Sequence, residues 1–194
     1  MWQGNRFFLM AMLLAGLSVP AAADSCHIVA AHPPSDTEKA ILRGEYAQAE
    51  TLYRDALASK PGDPALIAGL VRALLRQEKV SDADTVVKAA LASSPKSAIL
   101  LTALAEIEYR KGLIVESGEA SRRAFDVDLC YPRAHFIRAR LARLNSMYGT
   151  ERREIEIAHS LDRYDPDIWS EWIGTLSQQK RIEELRKNLK DSAN

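Results

Sequence analysis

Four histidines and two cysteines are the side chains of this 194-residue sequence best suited to chemistry near neutral pH. His27, His32, His135 and His159 could each move a proton or bind a metal, but only with a positioned partner. None lies in a His-Glu-x-x-His pair, next to a nucleophile elbow or in a Gly-rich phosphate loop. Cys26-His27, with His32 five residues beyond the His, supplies metal-ligand types at a spacing that fits no strong zinc pattern. Asp162, Asp165 and Asp167 gather around Tyr164 as cation ligands do, yet no Gly completes a calcium loop. Asp165 also stands directly before Pro166, where a carboxylate caps a helix that opens on proline. The residues therefore point to no catalytic group, no cofactor and no metal. The chain is expected not to be an enzyme.

The cysteines leave two arrangements open. Cys26 and Cys130 either pair, closing a loop of about 100 residues in an oxidising compartment, or lie apart as reduced or buried thiols. Lipid attachment at Cys26 is disfavoured because Ala23, Asp24 and Ser25 precede it where a lipoprotein signal has Leu and two small residues, and Asp24 breaks that pattern.

Compartment is legible at the N-terminus. Residues 1–23 carry one early positive charge, Arg6, an apolar run from Phe7 to Val19, Pro20, and then Ala21-Ala22-Ala23. That is the layout of a cleavable secretory signal, with cleavage expected after Ala23. The run falls short of the roughly 20 apolar residues that span a bilayer as a helix, and no later run reaches that length. A periplasmic or secreted protein with no stable membrane span after cleavage is expected. Composition agrees with a packed domain: 47% hydrophobic, 27% charged, with 9 Gly and 8 Pro, which excludes disordered, collagen-like and disulfide-dense classes. Lys plus Arg and Asp plus Glu both number 26, so no overall field favours nucleic acid or an anionic membrane.

One period positions these residues. Ala56, Ala90, Ala124 and Ala158 recur every 34 residues; the same offset relates Pro61 to Pro95, Pro132 to Pro166 and Ala49 to Ala83, and twice that offset relates Gly44 to Gly112. It also relates Leu57, Leu91 and Phe125, and the bulky series Tyr46, Val80, Ile114 and Tyr148. Self-similarity at this period marks a stacked repeat array. From Pro64 to Gln77 the apolar residues Leu66, Ile67, Leu70, Val71, Leu74 and Leu75 recur at helical spacing. Asp63-Pro64 and Asp165-Pro166 read as helix starts, and the recurrent Ala as a place where helices cross closely.

With these markers the chain resembles the tetratricopeptide repeat family, whose unit is a helix, a tight turn and a second helix. Gly44-Glu45-Tyr46-Ala47-Gln48-Ala49 with Tyr53, Ala56, Leu57 and Pro61 matches the family pattern at nearly every marker. The resemblance implies an all-α, right-handed superhelical solenoid. Its expected parts are a leader at 24–35, repeats at about 36–63, 64–97, 98–131 and 132–165, and a closing helix pair at 166–190. The first repeat lacks a full-length first helix. The fourth carries Glu151 where the family prefers Ala, so its second helix is expected to pack loosely or be displaced. Trp169, Trp172 and Ile173, followed by Ile182, Leu185 and Leu189, are expected to close the last apolar face.

The family's first helices line a concave groove, and its groove positions fall here on Ala65, Ala68, Arg72, Leu75 and Arg76, on Ile99, Thr102, Glu106, Tyr109 and Arg110, and on Arg133, Phe136, Arg140, Arg143 and Leu144. The implied groove is basic and aromatic. Guanidinium forks suit carboxylates and aromatic rings supply stacking area, so an acidic peptide or a chain terminus is the expected partner, and nucleic acid is not. Against this stands a solvated helix face with local pairs such as Glu106 with Arg110. His159, at the repeat position of Leu57, Leu91 and Phe125, reads as a packed side chain. The functional expectation is an exported, non-enzymatic interaction module. Two alternatives remain: the repeat part of a larger exported enzyme such as a protease or other hydrolase, or a self-associating envelope protein, with the oligomeric state open.

Overall fold

The structure, a computed structural model, describes Cys26, Ile28 and residues 35–191. The signal expected at 1–23 lies outside the described residues, as do His27, His32 and nearly all of the leader. Among the described residues every regular element is a helix: α1 (Asp36–Leu42), α2 (Tyr46–Ser59), α3 (Pro64–Arg76), α4 (Val80–Ser93), α5 (Ala98–Arg110), α6 (Ile114–Val127), α7 (Pro132–Leu144), α8 (Tyr148–Leu161), α9 (Pro166–Thr175) and α10 (Gln178–Asp191).

The period appears in the helix starts, at 64, 98, 132 and 166 for the first helix of each pair and at 46, 80, 114 and 148 for the second. Chemistry at each end explains it. Asp63, Ser97 and Asp165 accept backbone N–H groups of the helix that follows, the orphan donors of a helix N-terminus. Four helices, α1, α3, α5 and α7, end in one turn. In each, the next two N–H groups reach back to carbonyls of the last turn, as in Glu78 to Leu75 and Lys79 to Leu74. The residue at the bend takes a left-handed conformation in all four: Gly44 at φ 75°, Glu78 at 59°, Gly112 at 77° and Ser146 at 58°.

Apolar stripes then meet in one continuous core through Tyr53, Leu70, Val71, Leu74, Leu100, Ile107, Ile137, Ile155 and Ile168. Each helix packs on the next, and α3 touches α5 as α5 touches α7, which places the first helices along the inner side of the curve. The closest crossings within helix pairs use small residues: Ala49, Ala83 and Ser117 are fully buried, and the Ser117 hydroxyl donates to the Ala105 carbonyl at 2.7 Å. Of the recurrent alanines only Ala124 and Ala158 are fully buried, whereas Ala90 is half-buried at the core's edge. Gly69 lies where α3 meets Tyr53, and a Cβ there would fall 2.3 Å from the ring. Glu50 ties the first repeat to the second through Lys79 at 2.8 Å and Gln77, and these donors, Lys79 foremost, together with Arg54 of its own helix, hold its pKa at about 2.

Two expectations about the C-terminal part change. Helix α8 is not loosened: Glu154, Ile155, Ala158 and Leu161 are buried, and Glu151 is accommodated because its carboxylate turns to Arg143 at 3.6 Å. Closure of the last face is carried by α9 alone. Ile168 is fully buried, and the Trp172 ring stacks parallel on His159 at 3.7 Å between centroids, while α10 leaves Ile182 and Leu185 exposed. Burial, together with the Arg163 charge, holds His159 below its ordinary pKa, as suits a ring serving as packing.

Candidate binding groove

The inner faces of α3, α5, α7 and α9 enclose a cavity of about 200 Å³, lined by Arg72, Leu75, Arg76, Glu106, Arg110, Phe136, Arg140, Asp167, Ser170 and Glu171. The helical stripe explains why arginines stand there. Leu70, Val71, Leu74 and Leu75 take the core side of α3, leaving Arg72 and Arg76 to the open side. Seven lining residues were expected from the repeat positions. The other three come from α9, and extending the same 34-residue offset by one more unit lands on Asp167 and Ser170.

The expected basic groove is largely compensated, because α9 brings carboxylates against it. Asp167 pairs with Arg76. Glu171 pairs with Arg143 at 2.9 Å and stands 3.6 Å from Arg140, and Asp165 stands 3.6 Å from Arg72. Arg76 and Asp167 are far apart in sequence, so the array curls until its second repeat meets the closing helix. Arg110 donates to the Leu75 carbonyl and to Glu78, and Glu106 accepts from Arg133 at 3.2 Å; the expected local pair of Glu106 with Arg110 gives way to ties between repeats.

Arg133 is not a groove residue. It is only 7% exposed, and its guanidinium is taken up by Asp165 at 2.6 Å, by Asp167 at 3.2 Å and by Glu106. Burial by itself would favour the uncharged form, but the three carboxylates outweigh it and hold Arg133 well above its ordinary pKa. Asp165 is the counterpart: burial pushes its carboxyl up, and Arg133, Arg72 and the cap hydrogen bonds hold it below the usual carboxylate range. Of the acidic cluster noted in the sequence, Asp165 and Asp167 thus serve arginines, while Asp162 accepts the backbone N–H groups of Tyr164 and Asp165. Among the described residues no group of three His, Cys, Asp or Glu is arranged to hold a metal.

Arg72 and Arg140 differ from their neighbours. Their nearest carboxylates stand at 3.6 Å, beyond hydrogen-bond distance, and the buried Nε of each has no hydrogen-bond partner among the described residues. Arg140 lies over the Tyr109 ring at 4.3 Å and at 5.6 Å from the Phe136 centroid, so the aromatic residues support a guanidinium. Tyr109 thus acts from beneath Arg140. Arg143 borders a second cavity of about 570 Å³ with Tyr148, Glu151 and Glu171. Of the other mapped positions, Ala65 and Leu144 are exposed and Thr102 is buried.

Away from the groove, Cys26 and Cys130 form a disulfide with Cα atoms 5.3 Å apart. Both ring nitrogens of buried His135 are taken up by acceptors, Glu154 at 2.8 Å and the Leu129 carbonyl at 2.9 Å, which secures the turn beside Cys130.

Residues 40–113 match a family model described as tetratricopeptide repeat. A solved structure of a thermophilic TPR protein from Thermus thermophilus is similar over 76% of this chain and 81% of its own, at 23% identity and a TM-score of 0.58. The chain has the tetratricopeptide repeat fold. MamA matches over 84% of this chain and all of its own, at 14% identity and a TM-score of 0.49. A tetratricopeptide repeat protein from Parabacteroides merdae matches over 80% of this chain and 59% of its own, at 16% identity and a TM-score of 0.45. A search of curated proteins found no match. Among the described residues no helix is long and apolar enough to cross a membrane.

Proposed function

We propose that this tetratricopeptide array is an exported, non-enzymatic interaction module that holds an acidic peptide segment or chain terminus in its concave groove. The observation that carries the reading is the state of Arg72 and Arg140: two guanidiniums lining one cavity, each with an unpaired buried Nε and no carboxylate at hydrogen-bond distance. An unsatisfied buried donor costs about 1–3 kcal/mol, and with no carboxylate at hydrogen-bond distance the charge of each guanidinium is left to attract an incoming anion. The lining supports the sign of the partner, with four guanidiniums (Arg72, Arg76, Arg110, Arg140) facing three carboxylates (Glu106, Asp167, Glu171). Export is supported by the signal-like layout of residues 1–23 and by the Cys26–Cys130 pair, since disulfides persist in oxidising compartments.

Fluorescence anisotropy with labelled acidic peptides, each with a free and an amidated C-terminus, tests the reading. The array is expected to bind the acidic series. A double substitution, Arg72→Gln with Arg140→Gln, should abolish binding while the helical circular dichroism is unchanged. Equal binding by the double variant would refute the groove reading, and a preference for the free over the amidated end would identify a chain terminus as the ligand.

A further inference from the structure

The arginines of the groove share a feature that their own helices do not explain: their carboxylate partners come chiefly from one helix. Asp165 is the N-cap of α9, Asp167 stands in its first turn and Glu171 one turn further on. Between them these three side chains reach Arg72 and Arg76 of α3 and Arg133, Arg140 and Arg143 of α7. Only the Arg133–Asp165 pair is buried on both sides, and it belongs to the packing of α9. Arg76, the partner of Asp167 at the cavity, and Arg143, the partner of Glu171 at the border of the second cavity, are more than 40% exposed, so these pairs can exchange with solvent or with another anion.

Docking of α9 does not rest on the two outer carboxylates alone, although Asp167 also shares buried Arg133 with Asp165 and Glu106, at 3.2 Å. The helix is anchored through Ile168, which is fully buried, and through the stack of Trp172 on His159. Asp167 and Glu171 are four residues apart, one helical turn, and both line the same cavity as Arg72 and Arg140. They stand where an acidic ligand's own carboxylates would stand.

We infer that α9 is an internal ligand of the groove: Asp167 and Glu171 hold arginines that the groove would otherwise present, so an acidic partner binds in competition with the closing helix. This rests on the acidic-peptide reading and adds its regulation. Removing the two charges leaves α9 anchored by Ile168, Trp172 and Asp165 and leaves Arg133 with Asp165 and Glu106, while releasing Arg76 and Arg143 and removing the carboxylate nearest to Arg140. A partner must then bring at least two carboxylates about one helical turn apart to displace both internal pairs, whereas a single carboxylate displaces only one.

The test is the affinity of the full chain for two labelled helical peptides, one with two Glu at i and i+4 and one with a single Glu. Wild type is compared with Asp167→Asn plus Glu171→Gln, and with Glu171→Gln alone, which leaves the Asp167 contacts in place. The double variant is expected to bind the two-carboxylate peptide about tenfold more tightly than wild type, the single variant by an intermediate factor, and the advantage of two carboxylates over one should narrow. Thermal unfolding by circular dichroism verifies folding; should the double variant prove unfolded, the single variant decides. Binding first detected in the variants supports the inference. Equal or weaker binding by the variants overturns it and leaves the groove reading standing, whereas no binding by any form overturns that reading and this inference with it.

Discussion

Asp165 divides its carboxylate between two tasks. Oδ1 accepts the N–H groups of Asp167 and Ile168 at the start of α9, and Oδ2 accepts from Arg133. Its folded-state pKa is held below the ordinary 3.8, so the stabilisation is fully present above that value and is lost as pH falls through the folded-state pKa. Asp165→Asn retains an oxygen for the cap but turns an amide towards a buried guanidinium that keeps Glu106 and Asp167 as partners. Urea unfolding at pH 7 should show a loss of about 2–3 kcal/mol, below the full cost of orphaning a buried charge. The difference from wild type should shrink as pH is lowered past 4, and a difference that held constant to pH 3 would contradict the assignment. The capping task was legible in the sequence, because Asp before Pro is a local signal. The Arg133 task was not, since it joins α7 to α9 through the curl of the array, which no local spacing encodes. For the same reason Arg133 was expected in the groove and is found beneath it.

At the scale of elements, the turn joining the two helices of each pair accounts both for the success of the periodicity and for its limits. Gly44 and Gly112 fill the left-handed position in two pairs, and the same slot holds Glu78 and Ser146 in the others. A side chain there is strained where glycine is not. Ser146→Gly should therefore raise stability by about 0.5–1 kcal/mol, a gain of a few degrees in melting temperature by circular dichroism. Glu78→Gly should gain less, because the Glu78 carboxylate also pairs with Arg110 at 2.8 Å. No gain at Ser146 would mean that the turn is not the source of strain. The offset from Gly44 to Gly112 was readable, but the intervening members were hidden by residue type although the backbone needs the same conformation. The loose packing expected of α8 failed for a related reason. Glu151 signals a misfit only if the small slot is sealed, and here the slot opens towards Arg143.

At the scale of the whole molecule, a repeat array is held by contacts between neighbours, and its ends are its weakest parts. This array is tied twice between parts far apart in sequence. On the groove side Arg72 and Arg76 of the second repeat meet Asp165 and Asp167 at the start of the closing helix. The disulfide joins Cys26, ahead of α1, to Cys130, between α6 and α7, a sequence separation of 104. Cross-linking a loop of that length restricts the unfolded chain by roughly 4–5 kcal/mol in the chain-entropy model, with engineered cases often delivering less. The link also changes how the array comes apart. Helix α1 has only 7 residues and a single fully buried side chain, Ala40, so on its own it should fray first. With Cys26 fixed at the junction of the third and fourth repeats, fraying of α1 no longer frees the chain end. Reduction, or Cys130→Ser, should leave the circular dichroism spectrum at 25 °C nearly unchanged, since the helices and their core remain. The thermal transition should fall by several degrees and broaden, and hydrogen exchange should accelerate in α1 and α2 before α5 to α8. A uniform acceleration across all helices would mean that the covalent link stabilises the array as a single unit, and an unchanged transition would show that the non-covalent contacts suffice to close it.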